Sequence, residues 1–544
     1  MADPASRLKQ ALWLAAAAAL IFAALVLPNH PGTMKWSALN RWPLELPVLL
    51  LVMLAVGRQR VLAAVLSLLL VVVVVIKVAD YAMFSAFNRT FNPILDTFLI
   101  GAGLRILHDS IGLVLTVLAS LATLALVAGL FYAFWRGLLV WGALAPRRPW
   151  RITAGATALI CAGWAAADVG HHLEYWRFDR SPPGTAWSTR HTLKRGIEMQ
   201  ATAADLIVFA REAESDPFAD ATGWLDALEG RDVVLIWIES YGRASFDNPL
   251  YAPTHLATLT AAQDAIAPSG RAMRSGWLTS HTAGGQSWLA HGALASGLWT
   301  SDNGRYNAML ASGHKWLFHF AQDAGYRTAA IMPAITVGWP EALVMGFDVV
   351  IPAADMGYQG DRFRWVTMPD QFTLARYRDL LPPDPRPDFI QVALISSHAP
   401  WTPIADVIPW EDVGDGTVFN DMATRGPEPK KLWRNRDDVR DAYRRAVDYA
   451  LRVTFEHVAR MGPDAPLVIV AGDHQSAGFV AGSDNRDVAV HMIGPPDLLA
   501  RIDTWGWTDG LIPAPGAPVR RMETFRNDFL TAFTHDRVSG RLGQ

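Results

Sequence analysis

The chain has 544 residues, 48 Lys+Arg against 51 Asp+Glu, and one cysteine, Cys161. That length exceeds one small domain, and a lone cysteine excludes an internal disulfide framework and any cysteine-based zinc cluster. Residues 1–170 carry 13 Lys/Arg and 6 Asp/Glu, the rest 35 and 45. A sparsely charged apolar part thus precedes an acidic one, which argues against a disordered or purely soluble chain and against nucleic-acid binding, since that needs clustered Lys/Arg.

A hydrocarbon core about 30 Å thick takes about 20 apolar residues in a helix. Five runs are read as crossings: 11–28, 43–57, 61–79, 112–134 and 152–170. The second is shorter and has Glu45 and Pro47 near one end. The first follows Arg7 and Lys9, as a signal peptide would. It runs longer than a typical h-region, and Pro28-Asn29-His30 is a poor cleavage site, so a retained anchor is expected. With five crossings, Arg7 and Lys9, Arg58 and Arg60, and Arg136, Arg147, Arg148 and Arg151 fall on one side. The positive-inside rule makes that side, and the N-terminus, cytoplasmic, and an odd number of crossings puts everything after residue 170 outside. Between the third and fourth runs, Tyr81, Phe84, Phe87, Phe91 and Phe98 mark segment 80–111 as an interfacial stretch or a packed loop. Asn88-Arg89-Thr90 fits a glycosylation sequon and is read as chance.

Residues 171–230, with Ser181-Pro182-Pro183-Gly184, read as a juxtamembrane linker holding one or two helices. After Gly230 short apolar runs recur at 232–238, 327–332, 389–395, 467–470 and 488–493, with helical patterns between them at 312–324 and 438–460. Uninterrupted apolar runs are strands buried on both faces. Alternation with helices predicts an α/β domain over 231–544, a mostly parallel sheet sandwiched by helices. The predicted organisation is therefore a five-helix transmembrane domain (1–170), a linker (171–230) and this α/β domain.

In parallel sheets ligands bind outside the carboxyl ends of the strands. Glu239, His398 and the Asp473-His474 pair each follow an apolar run. Two carboxylates and an imidazole suit one divalent cation. In the stretch 279–298, a Gly-Gly-Gln-Ser turn leads into an apolar helix and places Ser287 at its N-terminus. There a serine serves as an ordinary cap, or sits where backbone N–H groups favour a phosphate or an alkoxide. A hydroxyl next to a metal is activated as a nucleophile.

The order of ESYGR (239–243), GGQS before a helix (284–287), SSHAP (396–400) and AGDHQ (471–475) resembles the alkaline phosphatase/sulfatase superfamily. Membrane runs followed by a large domain make the chain similar to the lipoteichoic acid synthase, phosphoglycerol transferase and phosphoethanolamine transferase group. The resemblance implies metal ligands Glu239, Asp473 and His474, and nucleophile Ser287 on the same ion, with Thr282 as a rival. It implies one Mn²⁺ or Zn²⁺. It also makes His398 a substrate-side histidine that contacts phosphate or protonates a leaving group, and gives Tyr443 and Asp448 a structural role. Arg305 and His491 are further substrate-binding candidates, and Asp370 is one near the site. Trp288, Trp299, Trp339, Trp365 and Trp401 are candidates for a headgroup or sugar cleft, with packing as the default. The Cys/Ser-x-Pro-x-Arg motif of hydrolytic sulfatases is absent, so sulfate-ester hydrolysis is not expected. No second ligand set is seen. The disulfides common in phosphoethanolamine transferases are impossible with one cysteine, which tilts the reading toward the phosphoglycerol branch.

The implied function is transfer of a phosphoglycerol or phosphoethanolamine headgroup from a membrane phospholipid, through a serine-linked intermediate, to a glycan or lipid-sugar acceptor, with release of diacylglycerol. The implied setting is a bacterial inner membrane with the catalytic domain in the periplasm and the protein a monomer. The alternatives are a non-catalytic lipid sensor or scaffold on the same fold, and a membrane-anchored phosphodiesterase.

Overall fold

The computed structural model describes residues 4–535 except 34–41, 88–89, 145, 174, 177, 179–183, 219–222, 337–338 and 463. The Asn88-Arg89 pair and Ser181-Pro182-Pro183 lie outside the described residues. The chain divides into two compact units, 1–205 and 206–544.

The first unit holds α1 (Pro4–Val26), α2 (Glu45–Val56), α3 (Arg60–Phe87), α4 (Phe98–Gly142), α5 (Arg148–His172) and the first part of α6 (Trp187–Glu214). Among the described residues four helices, not five, are long and apolar enough to cross a membrane. The exception is α2. It starts just after Pro43 and ends at Gly57, whose φ of 91° caps it. Twelve residues at 1.5 Å each span only about 18 Å, short of the hydrocarbon thickness. Segment 80–111 is mostly helical: α3 runs through to Phe87, and α4 begins at Phe98 and breaks at Gly112, where φ is 78°.

Side-chain bonds order the helix ends. Arg151 donates to the carbonyls of Ala55 and Val56, Trp141 to that of Leu14 and Trp135 to that of Arg60. These gather the start of α1, the end of α2, the start of α3, the end of α4 and the start of α5. The far ends are tied by Lys77, whose ammonium donates to the Leu25 carbonyl at 2.7 Å and to Ser188 at 2.8 Å. Nearby, buried Asp80 accepts from the Phe91 N–H at 2.8 Å and lies 2.9 Å from His191 and 3.7 Å from Arg195. Buried charges of this kind persist only when paired.

Among the described residues the second unit is built on nine strands: β1 (Val233–Ile238), β2 (Ala272–Thr279), β3 (Arg327–Met332), β4 (Val349–Pro352), β5 (Asp388–Ala393), β6 (Leu467–Gly472), β7 (Asp487–Gly494), β8 (Thr508–Asp509) and β9 (Val519–Arg521). Their order is β4-β3-β5-β1-β6-β7-β2-β8, with β9 paired to β2. The run from β4 to β6 is parallel, while β7, β2 and β8 join antiparallel to their neighbours. Every residue of β1, β3 and β6 is buried, because core layers cover both sheet faces. The central strands β5, β1 and β6 end side by side, with Ile238 opposite Gly472. The next residues on those two strands, Glu239 and Asp473, are brought together by this register.

Candidate active site

Three backbone features hold the carboxylates. Asp473 Oδ1 accepts from the N–H of Ser240 at 2.8 Å and of His474 at 2.6 Å. Ser397, fully buried, donates to the Glu239 carbonyl at 2.6 Å, and Tyr443 donates to that of Ser240 at 2.9 Å. Ser240 has φ 58°, a left-handed conformation that costs about 1–3 kcal/mol and collects at functional sites. Gly472 is required by close approach, since a Cβ there would lie 1.9 Å from the Tyr241 carbonyl oxygen.

The turn that leads into Ser287 is built the same way. Gly284, Gly285 and Gln286 have φ of 74°, 142° and 67°, and the helix Ser287–Ser296 begins directly after them. Ser287 Oγ donates to Glu239 Oε2 at 3.0 Å and lies 3.3 Å from His474 Nε2. Thr282 instead donates to the Gly285 carbonyl at 2.5 Å and braces the turn. Ser287, rather than Thr282, is therefore the hydroxyl on the carboxylate–imidazole cluster.

Glu239, Asp473 and His474 are buried and offer ligand atoms all within 4.8 Å of one another. His474 Nδ1–H donates to the Gln475 carbonyl at 3.0 Å, which turns Nε2 toward Glu239 Oε1, 3.2 Å away. This is how metal-ligating histidines are oriented. Two anionic oxygens, one imidazole nitrogen and an adjacent hydroxyl fit a divalent cation such as Zn²⁺ or Mn²⁺. The protonation pattern fits as well. Burial pushes the Asp473 carboxyl up to about 7, with the Glu239 charge adding to it. Burial opposes charge on His474, yet Asp473 and Glu239 outweigh it and raise the imidazole to about 9. Burial likewise opposes charge on Glu239, and the His474 charge and hydrogen bond hold it well below the usual range. Protons thus occupy the place a cation would take.

A cavity of about 290 Å³ opens beside this cluster and is lined by Glu239, Ser287, His398 and Asp473 at its polar end. His398 donates through Nδ1 to its neighbour's carbonyl, Ala399, at 2.5 Å and faces Trp365 at 5.7 Å. Trp288, Trp339 and Trp365 line the cavity. Trp299 packs against His281, and Trp401 stacks on Trp433. The structure brings neither Arg305 nor His491 to the cavity. Arg305 donates to the Trp299 carbonyl and covers the Phe209 ring. His491, fully buried within β7, accepts from Tyr241 OH and donates to Ser275 Oγ. Asp370 is a brace: its Oδ1 accepts from the N–H groups of Ile395 and Ser396 ahead of His398, and burial pushes it up to about 6. Asp448 accepts from Thr258, tying two helices. Ser240, Ser397 and His291 were not singled out in the sequence. Only the repeated serines after strand ends could have marked the first two.

Residues 231–486 match the family model described as Sulfatase. No curated protein sequence matches the chain. Among solved structures, it is similar to the integral membrane lipooligosaccharide phosphoethanolamine transferase A of Neisseria meningitidis, at 13% identity over 74% of this chain and 75% of that one, TM-score 0.41. It is also similar to the Streptococcus pyogenes phosphoglycerol transferase GacH, at 12% identity over 61% and 91%, TM-score 0.35. A third is the lipoteichoic acid synthase LtaP of Listeria monocytogenes, at 15% identity over 52% and 70%, TM-score 0.33. With its Glu-Ser-Asp-His cluster at the ends of a mostly parallel sheet, the domain over residues 231–486 belongs to the sulfatase/alkaline phosphatase superfamily.

Proposed function

We propose that the protein is a membrane-anchored, metal-dependent transferase that moves a phosphoglycerol or phosphoethanolamine headgroup from a phospholipid to a glycan or lipid-sugar hydroxyl. The observation that carries this is the Ser287 hydroxyl, at the N-terminus of a ten-residue helix and bonded to Glu239 beside His474. Four helices able to cross a membrane, in the same chain, support a lipid donor. A bound Zn²⁺ or Mn²⁺ would lower the proton affinity of the serine hydroxyl and stabilise negative charge on the reacting phosphate.

The chain's own residues do the rest. Glu239 accepts the Ser287 hydrogen bond and aims Oγ. Once the Ser287 proton has been released to solvent, the Oγ–P bond forms as the P–O bond to diacylglycerol breaks, and His398 is placed at the cavity to protonate the departing oxygen. The N–H groups at the start of the helix hold the phosphate oxygens. In the second half an acceptor hydroxyl gives its proton to His398 and displaces Ser287. Anchoring keeps the enzyme at its donor and raises the effective concentration. Arg58, Arg60, Arg147, Arg148 and Arg151 flank the helix ends gathered by Arg151, Trp141 and Trp135. This supports a cytoplasmic N-terminus; a catalytic domain in the periplasm of a bacterial inner membrane then requires the short α2, about 18 Å long, to join with its flanking residues as a fifth passage. The acting unit is a monomer.

The test feeds labelled phosphatidylglycerol or phosphatidylethanolamine to membranes holding wild type or Ser287→Ala, with Mn²⁺ or Zn²⁺. Diacylglycerol release from one lipid, lost in the variant and with chelator, is expected. Headgroup passed to water alone would make the protein a phosphodiesterase, and metal binding with no release from either lipid would favour a lipid sensor. Labelling of cysteines placed at Arg58 and near Gly462, in a Cys161→Ser background, tests orientation: only the second is expected to react from outside.

A further inference from the structure

Away from Ser287 the cavity changes character. Glu239 and Asp473 gather at the nucleophile, while the walls beyond are formed by Ala295, Trp316, Phe318, Met345 and Phe347. His291 stacks on Trp237 at 4.3 Å, and burial pushes its imidazole down to about 3, so this wall is uncharged at neutral pH. A glycerol or ethanolamine group set among these side chains would lose its water for at most two open partners, His291 Nε2 and Trp316 Nε1. An alkyl chain would lose nothing. Two lining side chains are apolar and exposed, Trp365 at 62% and Trp288 at 41%, and in sequence the exposed Leu343 and Val344 fall between the lining residues Trp339 and Met345. His291 Nε2 and Trp316 Nε1 are buried with no partner among the described residues, and an acyl ester oxygen would satisfy either.

We infer that this cavity is a subsite for the alkyl segment of an amphiphilic phosphate ester, namely the part of a donor-lipid acyl chain nearest its ester. The inference rests on Ser287 as the phosphate-reacting group only for the direction in which the ligand lies. A dry apolar cavity of about 150 Å³ accepts benzene. A space of about 290 Å³ therefore takes roughly ten to twelve carbons.

The probe is a series of n-alkyl phosphates, ethyl to dodecyl, kept below their micelle concentrations. They are titrated calorimetrically into the full-length protein in amphipol, with empty amphipol as blank, with and without Mn²⁺. Affinity is expected to rise about fourfold per methylene up to about ten carbons and then level. The slope is expected to be the same without metal, because chain burial does not use it. Ala295→Phe fills the deep end, and Ile335→Glu places a charge on the half-buried lining near the opening. Each is expected to lower decyl phosphate affinity more than tenfold and leave ethyl phosphate unchanged. Ile335→Glu stands alone if the buried substitution fails to fold.

Affinity that is flat with chain length, or a slope untouched by both variants, overturns the inference. So does tighter binding of glycerol phosphate, phosphoethanolamine or phosphocholine than of butyl phosphate. Donor KM falling from dihexanoyl to didecanoyl lipid, and losing that trend in Ile335→Glu, assigns the chain to the donor. A donor KM indifferent to chain length overturns that assignment. A chain-length slope with no diacylglycerol release from any donor sinks the transferase reading and leaves the subsite standing, while release without a slope does the reverse.

Discussion

Gly472→Ala tests whether the strand-end register sets the chemistry. The new Cβ would lie 1.9 Å from the Tyr241 carbonyl oxygen, whereas such contacts essentially never fall below about 3 Å, so one strand end must retreat by roughly 1 Å. Tyr241 is two residues past Glu239, and Asp473 is the next residue after Gly472. Whichever end moves, a carboxylate of the candidate metal site moves with it. Overpacking against backbone costs about 1–3 kcal/mol, and misplacement by about 1 Å costs on the order of 100-fold in rate. Full-length Gly472→Ala in detergent is therefore expected to melt several degrees lower, to bind Mn²⁺ or Zn²⁺ more weakly, and to release diacylglycerol about 100-fold more slowly. Gly462→Ala, where a Cβ meets nothing within 4 Å, serves as the control and is expected to match wild type. A Gly472→Ala protein with wild-type metal affinity and turnover would refute the argument that this register positions the site.

Ser287→Ala is expected to abolish capture of labelled phosphate on the protein, whereas Thr282→Ala, which loses only its bond to Gly285, retains it; mass spectrometry of the trapped intermediate decides between them. Because Asp473 is raised to about 7 and His474 to about 9, metal must displace protons, so affinity is expected to climb from pH 6 to pH 9 with measurable proton release; a pH-independent affinity would contradict this. For the metal-free protein the sign is opposite: the raised His474 contributes stability that is complete below its ordinary 6.5 and fades as pH rises through about 9, read as a lower melting temperature at pH 10 than at pH 7. Asp80→Ala removes the carboxylate facing His191 and leaves Arg195 only Glu198, and is expected to cost about 3–5 kcal/mol, seen as early heat inactivation in detergent; unchanged melting would show that the pairing adds nothing.

Much of the sheet was legible because five of its strands are mostly apolar runs, unbroken in β1 and β6, a pattern that burial on both faces produces. β2 was not, since Arg274, Ser275 and Gly276 interrupt it and its pairing partners lie more than 200 residues away. Glu239, Ser287, Asp473 and His474 could be read as one cluster because each follows a strand end or a glycine turn. His491 was misread as site-facing although it sits inside an apolar run, VAVHMIG, where a side chain points into a core layer. Arg305 carried no local signal of its contacts with Trp299 and Phe209. The braces Ser397 and Asp370 bond to backbone atoms, and no residue pattern announces such a partner. The shortness of α2 was written in Pro43 and Gly57, but hydropathy alone counts apolar residues and overlooks where a helix can start and stop.

The place of β1 in the sheet bears on how the chain is made. It is the first strand of its domain to be synthesised, yet it ends up between β5 and β6, whose residues begin at Asp388 and Leu467. At roughly 5–20 residues per second, the sequence VVLIWI waits on the order of ten to fifty seconds with at least one open edge. Six such residues are a strong template for pairing with a neighbouring chain. Nascent protein is thus most vulnerable to aggregation between synthesis of Ile238 and of Leu467, and a metal cannot rescue it. Asp473 and His474, two of the three residues that could hold one, do not yet exist, so binding there could only follow the pairing of β1 with β6 and cannot prompt it.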